Sequence, residues 1–160
     1  MARQPDFLEM IDEAAALVRH KFPQAQFAAA DHNPCGHREG WRFIFNVPAK
    51  GPESPAPSPA DSTAVILSQH EEFGAVEHYG APCLDYRLIP LPISMHPGQA
   101  VSLAKGARQS EERPRVINLQ WPRGKEVEEP LYILTYATSG VSVGVYSKQV
   151  RGLTRPDSPA

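Results

Sequence analysis

The chain has 160 residues, of which 41% are hydrophobic and 21% charged, which suits one domain with a packed interior. Its net charge of −2 disfavours a nucleic-acid-binding function, because binding through phosphate contacts needs an excess of basic residues. No apolar run approaches the roughly 20 residues that span a bilayer, and the first residues lack the apolar core of a signal peptide. Two cysteines, Cys35 and Cys83, cannot form a disulfide framework. We therefore expect a cytoplasmic protein with neither nucleic-acid nor membrane partners.

The first half begins with an amphipathic helix, predicted from Pro5 to Phe22 and ended by Pro23. Acidic residues near its start and basic residues near its end suit the helix dipole. Its predicted apolar face consists of Phe7, Ile11, Ala15, Val18 and Phe22. Three strands follow, predicted over residues 24–30, 41–47 and 63–69. The Pro-rich segment 48–62 lacks large apolar side chains and is predicted to be a mobile loop that does not pack.

The second half repeats this order of elements. A helix is predicted over 97–108, with Ser94 or His96 as its cap. Three more strands are predicted over 116–121, 131–137 and 141–147, and 151–160 is predicted to be a disordered tail. The two helix starts are 92 residues apart. The first strands, measured near Ala25 and Arg115, and the second strands, measured at Trp41 and Leu131, are each displaced by 90. Both an internal duplication of an αβββ unit (5–70 and 94–148) and a coincidence of spacing explain this pattern.

The fold class follows from this order of elements. We expect a single α+β domain over residues 1–150, with two helices packed on one face of an antiparallel sheet of about six strands.

The second half resembles a PepSY-type module, a short helix followed by three antiparallel strands with aromatic residues in the middle one. The resemblance rests on four segments: Gly98–Ala104, Val116–Leu119, Pro130–Tyr136 and Val141–Tyr146. The Asp–x–x–Gly turn usual in that family is replaced here by Ser147-Lys148-Gln149. A tandem pair of such units is similar to the β-lactamase-inhibitor proteins, and implies a curved sheet backed by helices.

One loop, 31–37, has residue types that bind metals. His32, Cys35 and His37 would supply three nitrogen and sulfur ligands to zinc, and Cys83 or Asp31 a fourth. The spacing matches no standard zinc module, and an ordinary turn also favours the Asn, Pro and Gly of this loop. Both interpretations stay open, and no cofactor is predicted.

Catalytic motifs are missing from the sequence. Cys35 with His37, or Cys83 with His78, would be the candidate nucleophile–base pairs, but neither cysteine lies at a predicted strand-to-helix turn. The clustered glutamates at 71–72 and 126–129 are typical of a solvated surface. The sequence thus favours a protein that is not an enzyme.

Aromatic residues of the last strands suggest a contact surface, because a few aromatic anchors often dominate an interface. We expect Tyr132 and Tyr136 in the core, and Trp121 and Tyr146 as binding residues. The predicted function is therefore a binding or regulatory protein that contacts a protein partner through a sheet face or edge, and a homodimer through a sheet edge is a further expectation. The alternative is a small metal-binding protein or enzyme built on the 31–37 loop.

Overall fold

The computed structural model describes residues 6–32, 40–49, 57, 59–69, 72–83 and 85–153. Both predicted helices are present, α1 (Phe7–Lys21) and α2 (Pro97–Arg108). Asp6 caps α1, and its backbone N–H donates to Glu9 Oε2 at 3.2 Å. His96 caps α2, where its side chain accepts a hydrogen bond from the Gly98 N–H.

All strands of the described residues form one antiparallel sheet. They are β1 (Gln26–His32), β2 (Gly40–Val47), β3 (Ser62–Gln69), β4 (Glu72–Phe73), β5 (Glu77–Tyr79), β6 (Val116–Gln120), β7 (Leu131–Thr135), β8 (Gly140–Gly144) and β9 (Val150–Leu153). The main order is β4-β3-β2-β1-β6-β7-β8-β9, and β5 pairs with β3.

The predicted sheet of about six strands is therefore too small, since the described residues form nine. The additional strands are β4, β5 and β9, which have two to four residues each and add to the outer edges. Residues 151–153 belong to β9 rather than to the predicted tail, whereas 154–160 lie outside the described residues. Strands this short have too few residues to show an alternating pattern, and they form by pairing with a longer neighbouring strand.

The two halves meet at the centre of the sheet. β1 pairs with β6 from Ala29↔Gln120 to His32↔Ile117. From this junction the order β1-β2-β3 runs outward on one side and β6-β7-β8 on the other. Each helix thus precedes three consecutive strands that lie side by side, starting at the middle of the sheet and continuing toward one edge.

The hydrophobic core lies between the helices and one face of the sheet. Directly opposed strand residues share a face, and one row of such buried partners crosses six strands: Ile66, Phe43, Ala30, Leu119, Tyr132 and Val143. The same cluster contains Ile11 and Val18 of α1 and Ala100 and Ala104 of α2. The Tyr132 hydroxyl donates to the Met95 carbonyl at 2.6 Å, just before α2.

The Pro-rich segment packs more than its composition predicts. Of its described residues, Pro57 and Asp61 are buried. The Asp61 carboxylate accepts hydrogen bonds from Asn46 Nδ2 at 3.1 Å and from the Ala49 N–H at 3.0 Å. Arg123 donates to the Pro57 carbonyl at 3.2 Å. The segment is held by polar contacts, which leave no hydrophobic pattern in the sequence, and the composition therefore predicted a loop that does not pack. Residues 50–56 and 58 lie outside the described residues.

Candidate binding face

The second face of the sheet carries a different row of opposed residues: Leu67, Arg42, Asp31, Asn118, Ile133, Ser142 and Arg151. We call the face that bears this row the open face. Five aliphatic side chains on it are half-buried and stand outside the core cluster: Ile44, Leu67, Val116, Leu131 and Ile133. Within the described ranges, the buried residues of α1 belong to the core on the other side, and so do Ala100 and Ala104 of α2.

Polar groups divide these aliphatic residues into two patches. Arg42 donates to Asp31 Oδ2 from Nη2 at 2.6 Å and from Nε at 3.0 Å. The Asn118 and Gln120 side chains follow on β6, on the same face. The Arg42 side chain is 53% exposed and that of Asp31 25%, so this pair contributes little to stability but gives the centre of the face directional hydrogen-bonding groups.

A cavity of about 320 Å³ opens beside the ion pair, lined by Asp31, Gly40, Trp41, Arg42, Leu67, Ser68 and Gln69. It lies at the lower end of the roughly 300–1,000 Å³ typical of small-molecule sites. A Cβ atom on Gly40 would collide with the Ser68 carbonyl oxygen. Glycine therefore allows β2 to approach β3 closely at this end of the cavity.

Two strongly exposed tyrosines stand near opposite edges of the sheet. Tyr79 of β5 is 50% exposed, and Tyr146, just after β8, is 54% exposed. The Tyr79 hydroxyl donates to Glu77 Oε2 at 2.7 Å, and this hydrogen bond to a carboxylate raises the pKa of Tyr79. The sequence did not predict an exposed Tyr79, because its three-residue strand is too short to show an alternating hydrophobic pattern.

Trp121 and Tyr146, the predicted binding residues, have different environments. Trp121 is half-buried against the core cluster, and its Nε1 donates to the Val127 carbonyl at 3.1 Å. The Arg87 guanidinium lies over its ring, 5.7 Å from the centroid. Tyr146 presents more than half of its surface to solvent. A binding role stays a prediction for both.

Of the three predicted nitrogen and sulfur ligands, only His32 belongs to the described residues. The two candidates for a fourth ligand are described and have other partners: Asp31 accepts from Arg42, and the Cys83 thiol lies against the Thr63 hydroxyl. His32 ends β1 rather than lying in a loop, and its ring centroid is 4.9 Å from that of Trp41. Cys35 and His37 lie outside the described residues. In the part of the chain that is described, no group of three or more His, Cys, Asp or Glu side chains is placed to hold a metal ion.

Cys83 and His78, one of the two candidate nucleophile–base pairs, have separate partners. The Cys83 thiol lies 2.9 Å from the Thr63 hydroxyl and 3.9 Å from the Phe45 carbonyl oxygen. His78 Nε2 lies 2.8 Å from the Ser62 hydroxyl. Burial raises the pKa of the Cys83 thiol, which lowers the fraction of reactive thiolate at neutral pH.

The sequence matches no protein-family model and no curated protein. Among solved structures, the chain is similar to a "putative lipoprotein" from Clostridium difficile 630, with a TM-score of 0.56 over 94% of this chain and 100% of that chain. The two sequences are only 10% identical, so the likeness concerns the fold alone. No helix among the described residues is long and apolar enough to span a membrane. The PepSY-like resemblance and the cytoplasmic location stay predictions.

Proposed function

We propose that this protein is a non-enzymatic binding protein that contacts a protein partner through the open face of its sheet. The observation that carries the proposal is the set of half-buried aliphatic residues on the open face, Ile44, Leu67, Val116, Leu131 and Ile133, which stand outside the core cluster. Aliphatic patches rimmed by polar groups are typical of protein–protein contact surfaces.

The dimensions of the open face suit such a contact. The eight strands of the main order are separated by seven spacings of about 4.8 Å, roughly 34 Å in all, and five residues along a strand extend about 16 Å. This area is of the same order as the ~800 Å² that each partner contributes to a standard interface. The Asp31–Arg42 pair at its centre would fix the orientation of the partner, because electrostatic complementarity contributes mostly to specificity.

The environment of Cys83 supports binding over catalysis. Its thiol is engaged by Thr63, and His78 is engaged by Ser62, so the two side chains do not form an activated pair. We also infer that the two αβββ halves are related as tandem PepSY-like units, which is supported by the outward order of the strands on both sides of the β1–β6 junction. A homodimer through the β9 edge is a separate proposal, tested by sedimentation at several concentrations.

The test of the proposed function compares two variants. The double variant Ile44→Thr/Leu67→Thr introduces threonines, which are β-branched and suit a strand, and it removes one aliphatic patch of the open face. Leu17→Gln is the control, since Leu17 is 41% exposed on α1, away from the open face. In affinity capture from the source cells with quantitative mass spectrometry, we expect a protein that wild type and Leu17→Gln retain and that the double variant loses at least tenfold.

The binding of that protein is then measured with purified components. The double variant should keep its circular dichroism spectrum and lose about 2 kcal/mol or more of binding free energy, as for anchor residues at an interface centre. Equal retention by all three proteins would show that the open face is not the contact surface.

A further inference from the structure

A second, smaller groove lies on the open face over β7, β8 and β9, with a volume of about 160 Å³. Leu131, Ser142 and Gly144 line it, with Glu126 and Glu128 from the preceding loop and Arg151 from β9. Small-molecule sites usually measure roughly 300–1,000 Å³. The groove is therefore too small for a typical cofactor and fits one long side chain.

The neighbouring carboxylate of Glu129 has a structural task. Its Oε1 accepts hydrogen bonds from the backbone N–H groups of Tyr146 at 2.7 Å and Ser147 at 2.9 Å. A Cβ atom on Gly144 would collide with this carboxylate, so the glycine makes room for it. Arg151 donates to Gln149 Oε1 at 3.0 Å across the same turn. These contacts give the groove a fixed wall.

Three other polar side chains at the groove make no such hydrogen bonds with the described residues. Glu126 and Glu128 are exposed, and neither has a hydrogen bond or an ion pair with any described residue. Ser142 is only 5% exposed, and its hydroxyl likewise has no hydrogen-bond partner in the described part of the chain. Ser142 lines the groove, so its hydroxyl is available to a group that enters it.

We propose that this groove receives the cationic head of a lysine or arginine side chain that the protein partner presents, an inference that rests on the proposed function. Glu126 and Glu128 supply the complementary charge, and Ser142 an additional acceptor. Leu131 and Val127 supply apolar surface for the methylene stem of such a side chain. Arg151 also lines the groove and would repel any cation there, so the two carboxylates have to outweigh its charge.

The test uses the tripeptide acetyl-Gly-Arg-Gly-amide as the probe, with its citrulline counterpart as the uncharged control. In ¹⁵N-labelled full-length protein, we expect saturable shifts of the Ser142 and Gly144 amide signals with the arginine peptide and at least fivefold weaker binding of the citrulline peptide. Glu126→Gln/Glu128→Gln should weaken binding of the arginine peptide at least fivefold. Asp12→Asn/Glu13→Gln, which removes two exposed charges from α1, should leave it unchanged.

Three results would overturn the inference: no shifts at Ser142 and Gly144, equal binding of both peptides, or equal binding by the wild type and Glu126→Gln/Glu128→Gln. Saturation of the same signals by Ca²⁺ without any effect of the arginine peptide would also overturn it and indicate a metal site. Because Ile44 and Leu67 lie on β2 and β3, away from the groove, the two tests fail independently. A partner that is lost only from Ile44→Thr/Leu67→Thr, with no peptide binding, retains the proposed function and rejects this inference.

Discussion

At the scale of single residues, Glu129 shows how one carboxylate can hold a turn between two strands. Its partial burial would raise the pKa of the carboxyl, but the hydrogen bonds from Ser147 and Tyr146 outweigh that effect and leave the pKa below its usual value. A lowered pKa in the folded state means that the carboxylate stabilises the fold at pH values above the unfolded pKa, near 4.5. This stabilisation is lost as the pH falls through the folded pKa.

We therefore expect Glu129→Gln to lower the free energy of unfolding at pH 7 by about 1 kcal/mol, at the low end for hydrogen bonds to charged groups because the site is partly exposed. As the pH falls through the folded pKa the difference from wild type should shrink, since the wild-type carboxylate is then protonated. Urea titrations at several pH values measure both effects. Glu126→Gln, at an exposed position, should stay within about 0.5 kcal/mol. A Glu129→Gln effect that is independent of pH would contradict this account.

At the scale of elements, the starts of the two helices are joined through one imidazole. His96 Nδ1 accepts a hydrogen bond from the Gly98 N–H at 2.9 Å, which caps α2. On the other side of the ring, Nε2 lies 2.6 Å from Asp6 Oδ1, at the N-cap of α1. The sequence predicts His96 as one of two candidate caps, but the contact with Asp6 joins residues that are 90 positions apart and has no local signal.

His96→Ala removes both contacts and should lower the free energy of unfolding by about 1–2 kcal/mol, the upper part of the range for N-cap losses. His96→Asn restores a capping side chain without the reach to Asp6, so it should recover about half of the loss. Thermal unfolding followed by circular dichroism measures both variants. If His96→Ala and His96→Asn were equally destabilised, the cap would contribute nothing and only the contact with Asp6 would count.

The edges of the sheet were the least predictable elements. β4 and β5 both lie against the outer side of β3, and β9 lies against β8. These strands have only two to four residues, so neither alternation nor β-propensity distinguishes them from loops. By contrast, α1 and α2 were predicted within two residues of their ends, because a helix repeats its hydrophobic pattern over several turns.

At the scale of the whole molecule, the β1–β6 ladder and the shared core predict that the two halves unfold together. Leu134 of β7 is fully buried, and Leu134→Ala should cost about 2–5 kcal/mol. We expect native-state hydrogen exchange to show this loss equally for the protected amides of β7 and of β2, in the other half. Thr135→Ala, at an exposed site on the same strand, is the control. Unchanged protection in β2 would show that the halves are separate cooperative units.

The sequence alone was sufficient for the fold class, the two helices, six of the nine strands and the burial of Tyr132 and Tyr136. These features depend on local periodicity, which a helix or strand of five or more residues displays by itself. A single sheet was expected from the order of the elements, but which strands pair between the two halves could not be predicted this way, because strand pairing is a long-range choice among similar edges.

The candidate site depended on that long-range choice. Ile44, Leu67 and Ile133 read in the sequence as ordinary strand residues, and only the pairing of β1 with β6 puts them on one continuous open face. The same pairing makes the opposite side of the six central strands, β3, β2, β1, β6, β7 and β8, the core, so it decides which aliphatic residues the helices cover and which remain for a partner. A local sequence pattern shows that side chains alternate between the two faces of a strand. Which of the two faces stays open is decided by the packing of both helices on the other one.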